Sequence, residues 1–148
     1  MNAGSLLALA IGLLLAGGAV TVLIGNSRPR AAAATSITAG VAAAGAGIAA
    51  LLGAHGEWRA PVLLPELPGL EVGNLIVGTP VTDAIAVTVL LVTLAVQVFA
   101  AWYLAADDRY ASFAATVGLF AAAMLLLVAS DDLVHTLVGW EVMGWCSY

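Results

Sequence analysis

The chain has 148 residues, of which 63% are hydrophobic and only 9% charged, with nine acids against four bases and a net charge of -5. An ordinary soluble domain carries about 25% charged residues, and one of this size could not bury so much apolar surface. The composition therefore excludes a soluble globular domain and a disordered tail. The acidic balance excludes a nucleic-acid binder, which needs a basic surface to neutralise phosphates. An integral membrane protein remains, in keeping with a mean hydropathy of +1.09.

Five apolar runs follow one another. The first covers residues 5–25 and contains no charge. No basic residue precedes it, and it is too long for the core of a signal peptide, so it is predicted to be a retained transmembrane helix. The turn NSRPR (26–30) leads to a second run, 31–53, rich in Ala and Gly. Small residues let helix backbones approach closely, so this run is expected to pack inside the bundle rather than face lipid. The two runs make a helical hairpin over 1–54.

Residues 55–83 are polar by comparison and hold Pro61, Pro65, Pro68 and Pro80. Within them LEVGNLIV (70–77) alternates around Gly73-Asn74, which fits a small β-hairpin or an irregular proline-rich loop. A third run spans 84–105, a fourth 112–130, and a fifth 132–148, the last reading as a helix that continues beyond Tyr148. Each complete run has about 19 to 23 residues, and roughly 20 are needed to cross a ~30 Å hydrocarbon core as a helix. The fold class is thus all-α, a polytopic membrane bundle, because lipid offers no partner to unpaired backbone groups.

All four bases are arginines, and lysine is absent. With alternating crossings, Arg28, Arg30 and Arg109 lie on one side and Arg59 alone on the other. The positive-inside rule then puts the 26–30 and 106–111 turns in the cytoplasm. The N-terminus and the 54–83 loop face outward in the inner (plasma) membrane.

Thirteen charges are present, and twelve are expected in loops or at helix ends within reach of water. Glu141 is the outlier. It lies eight residues into the fifth run, ~12 Å along a helix, against ~15 Å for half the hydrocarbon core. An ionised carboxylate there is costly unless paired or hydrated, which makes it a candidate for proton transfer; the alternative is a carboxyl used for packing alone. Gly139 and Gly144 flank it and admit either water or a close helix. His135 lies one turn into the same run, within reach of Asp131 and Asp132. It is about 240° around the helix from Glu141, so the two share no face. His135, Asp132 and Asp131 read either as a proton entrance or as a hydrated interfacial histidine beside N-capping acids. Asp83 is expected to cap the third helix, and Asp107, Asp108 and Arg109 to form a solvated turn. Trp102, Tyr103 and Tyr110 fit an interfacial aromatic belt. Cys146 allows no internal disulfide and reads as a packing residue. His55 and Glu57 read as loop residues, with no metal-ligand cluster. No phosphate-binding loop, partnered nucleophile, haem or iron–sulfur spacing is present, so no cofactor, no metal and no active site of its own is expected.

Residues 83–148, with AWYLAADDRYASFAATVGLFAAAMLLLVASDD (101–132) and LVHTLVGWEVMGWCSY (133–148), resemble the antiporter-like membrane subunits of respiratory complex I. The likeness is greatest to the NADH-quinone oxidoreductase subunit L (subunit 5) type. The motif is Gly139-Trp140-Glu141 followed by Cys146-Ser147-Tyr148. The earlier residues agree only in layout. Related motifs also occur in multisubunit cation/proton antiporters, membrane hydrogenases and inorganic-carbon uptake complexes. The resemblance implies that Glu141 is the carboxylate of a proton half-channel and pairs with a lysine on a later helix. It implies proton transfer coupled to quinone reduction elsewhere, with other membrane subunits, protons and the lipid bilayer as partners and no nucleic acid. His135 and Asp132 depart from the family, where an aliphatic residue and Asn are common. A non-transporting membrane scaffold or truncated paralogue is the reading from another class.

Overall fold

The computed structural model describes residues 2–61, 75–104 and 107–148. Among these are five helices, α1 (Ala3–Ile24), α2 (Pro29–Gly53), α3 (Pro80–Tyr103), α4 (Tyr110–Val128) and α5 (Leu133–Ser147), and two strands, β1 (Trp58–Pro61) and β2 (Leu75–Gly78). Helices α1 to α4 are each long and apolar enough to cross a membrane. Helix α5 has 15 residues, about 22 Å at the helical rise. The chain is an all-α membrane bundle carrying one small sheet.

Local chemistry sets the helix ends. Pro29 and Pro80 stand in the first turns of α2 and α3, where a missing N–H costs nothing and the fixed φ suits a helix. Gly25 closes α1 at φ 66°, a conformation L side chains avoid, and its amide bonds the Thr21 carbonyl at 3.1 Å. The Thr79 hydroxyl accepts from the Thr82 amide, so α3 starts four residues before the apolar run at 84. Asp83 is therefore inside the helix, and Thr79 is the cap that Asp83 was expected to be.

Helix α1 packs on α2 and α4, α3 on α2 and α4, and α5 on α4. Small residues make these approaches close. A Cβ on Gly40 of α2 would meet the Gln97 amide oxygen of α3 at 2.6 Å, and one on Gly139 of α5 would meet the Ala123 carbonyl of α4 at 2.9 Å. Helix α2 is nevertheless not enclosed: Ser36, Gly40, Ala43 and Gly47 are buried, while Val41, Ile48 and Leu52 on its other side are exposed. Its small residues serve one face, the one packed on α1 and α3.

Strands β1 and β2 pair antiparallel with Trp58 opposite Gly78 and Ala60 opposite Ile76. Trp58, Ala60 and Ile76 are buried, and Trp58 and Ala60 lie against Gly4 of α1. On its other edge β2 meets the end of α4, where the Val77 amide donates to the Ala129 carbonyl at 2.8 Å and Ile76 bridges Ser130. The sheet thus closes the end of the bundle where α1, α3 and α5 begin. The hairpin turn expected at Gly73-Asn74 lies outside the described residues. Residues 75–77, its second arm, belong to β2, whose described partner is 58–61 rather than 70–72.

Candidate functional site

The site is built on α5 and the turn before it. Asp132 caps the helix: its Oδ1 accepts the His135 amide at 2.8 Å. Its Oδ2 accepts from His135 Nδ1 at 2.6 Å, so one carboxylate holds both the first turn and the imidazole. The Ser130 hydroxyl donates to the Asp132 carbonyl at 2.8 Å, and the Thr136 hydroxyl donates to Ser130 Oγ at 3.0 Å, which fixes the turn to the helix. Asp132 stands outside α5 and is half-buried. The His135 amide, the largest influence, holds its carboxyl below the usual range; partial burial opposes this, and the imidazole adds to the lowering. Asp131 is exposed and takes no part in the cap.

His135 itself is completely buried, and its Nε2 has no hydrogen-bond partner among the described residues. This corrects the expectation of a hydrated interfacial histidine. The cap pulls the ring toward Asp132 and turns it to the side of α5 that carries the buried Gly139. That side packs closely on α4, through Ala123 and Leu127.

Glu141 is exposed on the other side of α5, in company with Leu137, Trp140, Gly144 and Trp145. The structure keeps His135 and Glu141 on different faces, as their spacing requires. Among the described residues no hydrogen bond joins them. Gly139 admits a close helix, whereas a Cβ on Gly144 would meet nothing within 4 Å. Glu141 is the one acid between Leu133 and Tyr148. An exposed carboxyl on an apolar helix face can hold a proton, or as an anion can take a cationic or hydrated partner brought by another element.

A buried carboxyl escaped the sequence reading. Asp83 is 1% exposed. Its Oδ2 accepts the Trp58 indole N–H at 2.9 Å, and its Oδ1 has no partner among the described residues. The expectation that twelve charges reach water therefore fails at Asp83. Gln97 was also missed. It is 2% exposed, its Oε1 is unpartnered among the described residues, and it lies beside Gly40 and Gly118. A lone amide in an apolar run, between Val96 and Val98, was the available signal.

At the opposite end, Trp102 and Tyr103 are exposed as an interfacial belt requires, with Tyr103 stacked on Phe99 at 5.3 Å. Tyr110 is buried and does not belong to that belt, because α4 begins with it packed among Ala32, Ala100 and Ala114. Asp107, Asp108 and Arg109 form an exposed turn in which Asp107 Oδ1 accepts the Arg109 amide at 2.7 Å. His55 and Glu57 are exposed, and Cys146 is partly buried. Among the described residues no group of three or more His, Cys, Asp or Glu could hold a metal ion.

No family model matches the chain. Several curated relatives do. The chain is 36% identical over 84 residues to NADH-quinone oxidoreductase subunit L of Escherichia coli (strain K12), covering 53% of this chain and 14% of that protein. It is 41% identical over 70 residues to NADH-quinone oxidoreductase subunit L of Pseudomonas aeruginosa, covering 45% and 11%. It is 36% identical over 92 residues to the chloroplastic NAD(P)H-quinone oxidoreductase subunit 5 of Chlorokybus atmophyticus, covering 62% and 14%. The chain thus spans 11% to 14% of the length of these relatives.

Proposed function

We propose that this chain is the amino-terminal part of a proton-translocating membrane subunit of an NADH-quinone oxidoreductase assembly, with Glu141 as its proton-carrying group. The observation that carries the reading is a single carboxyl on the exposed, otherwise apolar face of α5. The likeness to subunit L and subunit 5 proteins supports it. Quinone reduction elsewhere in the assembly would change the surroundings of Glu141, and the shift between its neutral and ionised forms would move the proton.

Asp131, Asp132 and His135 form the outer entrance in this reading. Asp131 meets water, Asp132 exchanges a proton with His135 Nδ1, and the buried Nε2 passes it inward to groups supplied by other elements. The 26–30 and 107–109 turns face the cytoplasm, by the arginine distribution. The partners are other membrane subunits of the complex, within the inner membrane.

The test is Glu141→Gln in the full-length protein within its assembled complex. Proton pumping in proteoliposomes is expected to fall several-fold, with subunit composition unchanged on native gels. Glu141→Asp is expected to retain part of the pumping. Normal pumping by an assembled Glu141→Gln complex would end this reading and leave the scaffold alternative.

A further inference from the structure

The end of the bundle away from the sheet holds a cleft of about 340 Å³ lined by Pro29, Arg30, Ala33, Ala101 and Tyr110. Two helices, α2 and α4, begin here. Helix α2 has no side-chain cap, its N-cap position being Arg28, whereas in α4 the Ala111 amide donates to Asn26 Oδ1 at 2.9 Å; neither helix has an acid in its first turn. The uncapped start of α2 leaves donor N–H groups and the positive end of its helix dipole without a side-chain acceptor, which favours an anion.

Two further observations point to a ligand. Tyr110 is 2% exposed, yet its hydroxyl has no hydrogen-bond partner among the described residues. A buried phenol without a partner is costly, and the ring lines the cleft. Arg30 also lines it and, among the described residues, forms no ion pair. Donors converge on this cleft, and its described walls offer no carboxylate. The depth of the cleft selects the kind of anion. Ala101 precedes Trp102 and Tyr103, whose exposure marks the membrane–water boundary, so the cleft lies at headgroup level.

We infer that this cleft seats the phosphate of an anionic phospholipid. Arg30 pairs with the phosphate oxygens, the first turn of α2 faces the same charge, and a small rotation of Tyr110 lets its hydroxyl donate. Basic pockets between membrane helices recognise anionic headgroups in this way. Inorganic phosphate offers the same oxygens but gains nothing from headgroup depth.

The test uses the full-length protein, purified in detergent, depleted of lipid and titrated with phosphatidylglycerol under native mass spectrometry. Arg30→Gln is expected to lower the apparent affinity of the tightest lipid about fivefold. Tyr110→Phe, which removes only the hydroxyl, is expected to lower it two- to fivefold. Arg59→Gln, on β1 at the other end, is expected to leave it unchanged. Phosphatidylcholine is expected to bind more weakly, and inorganic phosphate to compete only at far higher concentration. An Arg30→Gln protein with unaltered lipid affinity would overturn the inference. So would an equal loss in Arg59→Gln, which would mean diffuse surface charge, or phosphate competing as well as lipid, which would assign the site to a soluble ion. Lipid retention is read without turnover, so its outcome is independent of whether Glu141 carries protons.

Discussion

At the sheet end, three helices begin on side-chain caps: Asn2 accepts from Ser5, Thr79 from Thr82 and Asp132 from His135. At the turn end, α2 begins on Arg28 with no such cap, and α4 borrows one from the preceding turn, where Asn26 accepts the Ala111 amide. The sheet end also meets many of its other polar needs from within, through the strand ladder and the Trp58–Asp83 bond. The turn end also keeps Arg30 without an ion pair among the described residues. A helix terminus must find partners in protein, water or ligand, so the two ends answer one requirement differently. The sheet end caps its helices from within, although Asp83 Oδ1 and His135 Nε2 have no partner among the described residues, and its stability should depend on its own side chains. The turn end should depend on what surrounds it.

The largest expected effect tests the sealed end. Trp58→Ala removes the indole that fills the space beside Gly4 and Gly78 and leaves Asp83 with neither oxygen bonded. A loss of about 3–5 kcal/mol is expected from the cavity and the orphaned carboxyl. Trp58→Phe keeps a ring but drops the N–H and should cost about 1–3 kcal/mol. At the turn end Trp102 is 78% exposed, and Trp102→Ala should stay within about 0.5 kcal/mol. Unfolding in a denaturing detergent, followed by far-UV circular dichroism, orders the three. A Trp102→Ala loss equal to that of Trp58→Ala would erase the contrast between the ends.

Next in size is Gly139→Val. The new side chain would press on the Ala123 carbonyl and on Leu127, where even a Cβ is too close. About 1–3 kcal/mol is expected from overpacking, with α5 displaced from α4. Glu141 rides on α5, so pumping should fall although Glu141 is intact. Gly144→Ala, which meets nothing within 4 Å, is the control and should leave both stability and pumping near normal.

These contrasts also mark what the sequence could reveal. The helices were legible because apolar runs of membrane length admit few alternatives. Glu141 stood out because a carboxyl inside such a run has no structural default. Burial within the bundle was much less legible. In a soluble helix the apolar stripe marks the buried face, but here lipid-facing and core-facing residues are both apolar, and periodicity loses its meaning. Tyr110 was therefore placed in the aromatic belt and His135 in water. Asp83 was misread for a local reason: Thr79-Pro80, just upstream, is the stronger helix start. Strand β1 was missed because its described partner lies 14 or more residues away along the chain, beyond any local turn signal.

The smallest expected effect concerns the cap nearest the proposed proton entrance. Asp132→Ala removes the acceptor for the His135 amide and should cost about 0.5–2 kcal/mol. Asp132→Asn keeps a capping oxygen and should cost less, but it removes the charge that holds the imidazole. The folded protein holds the Asp132 carboxyl below its usual range. Its contribution is therefore complete above the unfolded value, about 3.9, and fades as pH falls through the lower folded value. Hydrogen exchange at the His135 and Thr136 amides should accordingly stay slow near neutral pH and lose protection, relative to the rest of α5, only in acid below the usual carboxylate range. In Asp132→Asn that extra loss in acid should vanish, while the cap persists. If the wild-type amides instead lose relative protection already near neutral pH, the Asp132 carboxylate does not govern the turn. The start of α5 would then be held by something other than its cap, and the independence of the sheet end from its surroundings would be smaller than its hydrogen bonds suggest.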